Sequence, residues 1–64
     1  MFAGSQREQA LRARAYILAE TGNFAAVRDV EQAMIGEGWP DAAEVLGHDY
    51  VRRALAERLA AHTG

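Results

Sequence analysis

Sixty-four residues allow one domain at most, near the lower size limit for folding on apolar burial alone. Half of them are apolar, but fourteen of those thirty-two are alanine, which favours helix and buries little surface. There is no cysteine, which excludes disulfides, thiolate metal sites and cysteine nucleophiles, and the net charge of −2 is not the basic balance of a nucleic-acid-binding domain.

Residues 1–4, MFAG, read as a loose start, and Ser5 opens a first helix. Ser5 and Glu8 have capping-box spacing, in which each side chain can satisfy an amide that the helix leaves unpaired. Leu11, Ala15 and Leu18 form one apolar stripe, with Ala10 and Ile17 beside it. Gly22 suits the left-handed position that ends a helix.

Asn23 can cap a second helix, with Phe24, Val27, Val30 and Met34 on one side, Ile35 adjoining, and Asp29 and Glu31 turned away. Gly36 and Gly38 end it. Trp39 precedes Pro40 and is pushed toward extended backbone. Pro40 and Asp41 fall in the opening turn of a short third helix offering Ala42, Ala43, Val45 and Leu46, closed by Gly47. Asp49 caps a fourth helix striped by Val51, Leu55 and Leu59 and widened by Ala54, with Arg58 and His62 near its end. The expected architecture is all-α: a single domain over 1–64, a compact bundle of three main helices and one short one, orthogonal or bundle-like in packing.

Charge is uneven along the chain. Residues 29–49 hold Asp29, Glu31, Glu37, Asp41, Glu44 and Asp49 and no arginine, whereas both ends are mildly basic. The plain expectation is that the middle packs against ends of opposite sign, within one fold or across a dimer. All seven basic side chains are arginine; with so much alanine, that composition suggests a GC-rich bacterial coding sequence.

The glycine turn between the second and third helices has the outline of a helix-turn-helix. Its second helix would be PDAAEVLG, which carries two acids and no Arg, Lys, Asn or Gln to meet phosphate or base edges. A second route to nucleic acid is a basic patch of Arg7, Arg14, Arg52 and Arg53, provided the first and last helices lie side by side. Against it, Asp49 can pair with Arg52 and Arg53, and Glu8 with Arg12, along their own helices.

Metal and enzyme chemistry find no motif. His48 and His62 lack ligand spacing, Ser5 reads as a cap rather than a nucleophile, and Gly36-Glu37-Gly38 puts a carboxylate where a phosphate would sit. No cofactor, metal or small-molecule substrate is expected, and no run is long and apolar enough for a membrane span. The N-terminus lacks a basic-then-apolar signal pattern, so a cytoplasmic setting is expected.

Trp39 is the most informative single residue: either a lid folded back over the core or an exposed anchor for a partner. Tyr16 and Tyr50 carry a similar ambiguity. The expected function is therefore that of a small non-enzymatic protein–protein interaction or accessory protein. Self-association, as a homodimer, would relieve the thin core. The interface candidates are Trp39, Phe24, Met34 and Tyr50. The alternative is a small helix-turn-helix-like DNA-binding regulator contacting phosphates through Arg7, Arg14, Arg52 and Arg53.

Overall fold

A computed structural model of the chain describes residues 6–62. Among them stand four helices and no strand: α1 (Gln6–Glu20), α2 (Val27–Gly36), α3 (Ala42–Leu46) and α4 (Asp49–His62). The all-α expectation holds. The loose start at residues 1–4 and the Ser5 cap lie outside the described residues.

Helix α1 buries Leu11, Ala15, Leu18 and Ala19. Ala10 and Ile17, expected beside that stripe, face solvent instead, with Ile17 54% exposed. Each step along a helix rotates a side chain by about 100°. Ile17, one step before Leu18, is therefore carried past the edge of the buried face, and its place is taken by Ala19. The helix stops where the Thr21 hydroxyl donates to the Leu18 carbonyl at 2.7 Å, and Gly22 follows with φ +81°.

Helix α2 starts later than its sequence suggests. Ala26, in extended backbone, holds the N-cap position without a side-chain hydrogen bond, so Asn23 is not the cap. The Ala26 carbonyl accepts from the amides of Asp29 and Val30 at 3.0 and 3.3 Å. The start is set by burial of Val27, Val30 and Met34 rather than by a polar cap. Phe24 consequently packs on the core from the preceding loop.

The end of α2 is a Schellman reversal. The Gly38 amide donates to the Ile35 carbonyl and the Trp39 amide to the Met34 carbonyl, each at 3.0 Å, while Gly38 adopts φ +102°. Gly36 is simply the last helical residue. The short α3 then begins at Ala42, with Asp41 at its N-cap position and Pro40 in the turn before. In α4, Asp49 is the first helical residue rather than the cap. The His48 carbonyl accepts from the Arg52 amide at 2.8 Å.

Helices α1 and α4 lie side by side and run in the same direction. Arg12 meets Tyr50, Glu20 meets Arg58, and Gly22 comes against His62. Helix α2 and the short α3 carry the chain back between them, because Glu37 and Asp41 reach Arg14 and Arg7 in the first half of α1. Among the described residues, thirteen side chains are buried in the core enclosed by the four helices, all apolar, three of them alanine. Leu11, Val30, Met34, Leu46, Val51 and Leu55 are its largest fully buried members.

Candidate interaction surface

The arginines divide into those spent inside the fold and those left over. Arg7 straddles the α2–α3 corner. It donates to Asp41 Oδ1 from Nη2 at 2.8 Å and to Oδ2 from Nε at 3.4 Å, with its guanidinium 5.0 Å from the centre of the Trp39 ring. Arg14 makes the same two-pronged contact with Glu37, at 2.9 and 2.8 Å. The hydrogen bonds to Glu37 raise the Arg14 pKa, and those from Arg14 lower that of Glu37. Asp41 is lowered likewise by its hydrogen bonds from Arg7. The acidic middle thus packs against the basic N-terminal helix within one copy of the chain.

A second set of clasps joins α1 to α4, one arginine from each helix resting on a tyrosine of the other. The Arg58 guanidinium lies 4.2 Å from the Tyr16 ring centre and donates to Glu20 at 3.3 Å. The Arg12 guanidinium lies 5.9 Å from the Tyr50 ring centre, and its Nη1 donates to the Tyr50 hydroxyl at 2.9 Å. Spacing along one helix points to neither the Arg12–Tyr50 nor the Arg58–Glu20 contact, since each pair lies 38 residues apart in the chain.

The expected interface residues separate. Met34 is fully buried, so it holds the core and does not reach a partner. It lies on the inward face that Val27 and Val30 also occupy. Phe24 and Trp39 are half-buried and packed on the core. Tyr50 is 64% exposed, although Arg12 holds it in place, and the His48 ring stacks at 6.3 Å.

Nor do the four arginines expected to form a basic patch come together. Arg7 and Arg14 are held by carboxylates on the α2–α3 side. Arg52 lines a shallow cleft between the start of α2 and the middle of α4, and Arg53 borders a smaller depression beside Tyr50. Asp49 forms no ion pair with Arg52 or Arg53, contrary to the within-helix pairing expected. The cleft has a volume of about 920 Å³, and its lining mixes apolar residues, Val27 and Leu59 among them, with Arg28, Asp29 and Arg52.

At this corner the second helix of the helix-turn-helix outline is the short α3. It is five residues long, buries Ala42, Val45 and Leu46, and turns only Ala43 and Glu44 outward. Among the described residues, no group of three or more His, Asp or Glu could hold a metal ion, and no helix is long and apolar enough to cross a membrane.

Fold and surface together define a small all-α domain with its charged corner closed and the outer side of its last helix open. Comparison with known protein families, with curated proteins and with solved structures yields no match.

Proposed function

We propose that this chain is a non-enzymatic protein-binding module, a small accessory protein that acts by contact with another polypeptide. One observation carries the reading. The outer side of α4 presents Tyr50, an aromatic held in position yet 64% exposed, next to the ionic side chains Arg53 and Glu57, neither of which has an ion-pair partner among the described residues. Aromatic and arginine side chains are the types most enriched at binding hot spots. A preset rotamer also lowers the entropy lost on binding. A cytoplasmic setting belongs to the same proposal and rests on the sequence.

The test is a photo-crosslinking residue placed at Ala56 or Ala60 on α4, with Gln32 on the exposed side of α2 as control. Discrete polypeptide adducts are expected from the α4 positions and not from Gln32. No adduct from either α4 position would overturn the reading.

The second reading, a DNA-binding regulator, draws on Arg52 and Arg53, both exposed and without a carboxylate partner among the described residues. It must also release Arg7 and Arg14 from Asp41 and Glu37 before they can reach phosphate. Duplex binding that weakens steeply with salt would support it, and no mobility shift at low salt would remove it.

A further inference from the structure

The outward strip of α4 has a pattern that fits itself. Tyr50, Arg53, Glu57 and Ala60 follow one another at helical spacing, and all four are exposed. Tyr50 and Ala60 stand at equal distances on either side of Leu55, and so do Arg53 and Glu57. When two such helices lie antiparallel about a two-fold axis level with Leu55, each large ring falls opposite a small side chain. Each cation then falls opposite a carboxylate.

We propose that the partner is a second copy of this chain, with the two α4 helices antiparallel across these strips. Tyr50 of each copy lies against Ala60 of the other, and Arg53 of each pairs with Glu57 of the other. The inference rests on the protein-binding reading and names its partner.

Charge complementarity is the main support. On their own helix, Arg53 and Glu57 are placed in the less favourable order, cation before anion, and they form no ion pair there. Across the two-fold axis the same residues make two reciprocal attractions. Arg52 lies away from these pairs, on the cleft toward α2, whereas Asp49 shares the depression of Tyr50, Arg53 and Glu57. Shape adds to this: Ala60 leaves room for a ring that Arg12 already holds by its hydroxyl. Antiparallel helix dipoles also attract.

The contact is small. Fourteen residues of α4 span ~21 Å, and one face of a helix that length and ~10 Å across covers far less than the ~800 Å² per partner typical of a standard stable interface. The dimer therefore belongs to the weak, reversible class.

Sedimentation equilibrium of the full chain at low salt, up to about 1 mM, matches that class. Wild type is expected to show reversible dimerisation. R53E and E57R should each weaken it by about tenfold or more, because both reciprocal attractions become repulsions. The R53E/E57R charge swap should restore association to within a few-fold, and Y50A should weaken it. All four positions are exposed, and circular dichroism melts check that each variant is folded, Y50A above all because the Tyr50 hydroxyl accepts from Arg12 of α1.

A wild-type chain that stays monomeric throughout, single variants that associate like wild type, or a swap that recovers nothing would each overturn the proposal. Crosslinks from α4 to a different polypeptide, with a monomeric wild type, would sink this pairing and leave the protein-binding reading standing. No adducts together with no dimer would sink both.

Discussion

Trp39 is tied to Met34 by a backbone hydrogen bond of 3.0 Å from its amide to the Met34 carbonyl, across the glycine reversal that ends α2. The bond brings the chain back over the core, where the half-buried indole packs under the Arg7 guanidinium. Only one of the two nearby glycines needs to be glycine for this. Gly38 has φ +102°, whereas Gly36 is an ordinary last helical residue with open space around its Cα. Opposite effects are therefore expected at the two sites. G38A should destabilise by about 1–2 kcal/mol, and G36A should stabilise by about 0.5–1 kcal/mol. Urea unfolding monitored by circular dichroism reads both, and equal effects of the same sign would contradict the assignment.

Gly22 is constrained twice. Its φ is +81°, and a Cβ there would sit 2.9 Å from the His62 backbone oxygen. Backbone strain alone costs about 1–3 kcal/mol, and the oxygen it meets belongs to a helix rather than to a flexible side-chain tip. G22A should therefore be the most damaging glycine-to-alanine change of the three. A thermal midpoint for G22A above that of G38A would show that α4 does not close on the α1–α2 turn as described.

Acid should loosen the corner that Arg7 and Arg14 hold. Both Asp41 and Glu37 have lower pKa values in the fold than their ordinary ones, through hydrogen bonds from these arginines. The unfolded chain then binds more protons, so stability rises with pH through this range. The contribution is complete above the ordinary carboxylate range of about pH 4–4.5 and is lost as pH falls through the folded values. The urea midpoint should drop between neutral pH and about pH 3, with part of the drop due to these two groups. D41N/E37Q should flatten that pH dependence, and an unchanged slope would show that the pairs are not coupled to folding.

The core has little to spare. A chain of this length has a total stability of roughly 3–10 kcal/mol, and truncating a fully buried leucine costs about 2–5 kcal/mol. Leu55, at the centre of α4 and completely buried, is such a residue. L55A should be largely unfolded or have a midpoint lowered by a large fraction of the total, as read by near-ultraviolet dichroism of Trp39. Ile17, which is 54% exposed, should tolerate alanine with little change. Comparable losses at both positions would mean that Ile17 belongs to the core, as the apolar stripe suggested.

Helix content, the four-element order and most of the apolar faces were legible in the sequence. They depend on local rules: alanine-rich composition, spacing of Val51, Leu55 and Leu59, and glycines where chains reverse. The local signal failed at particular places. Asn23 has the residue type of a cap but is not used as one, because burial of Val27, Val30 and Met34 sets where α2 begins. Met34 is an interface candidate in the sequence, yet its helix turns it wholly inward.

By itself the sequence determined that this chain is all-helical and that its middle and ends carry opposite charge. Tertiary structure alone decided where that charge goes. Helices α1 and α4 run parallel, and the α2–α3 corner lies over the first half of α1. Side chains 23 to 38 positions apart in sequence therefore became partners in Arg14–Glu37, Arg7–Asp41, Arg12–Tyr50 and Arg58–Glu20. The physical reason is that ion pairs and ring contacts act over a few ångströms in space. Periodicity along one helix fixes only which way each side chain faces, not which helix stands opposite.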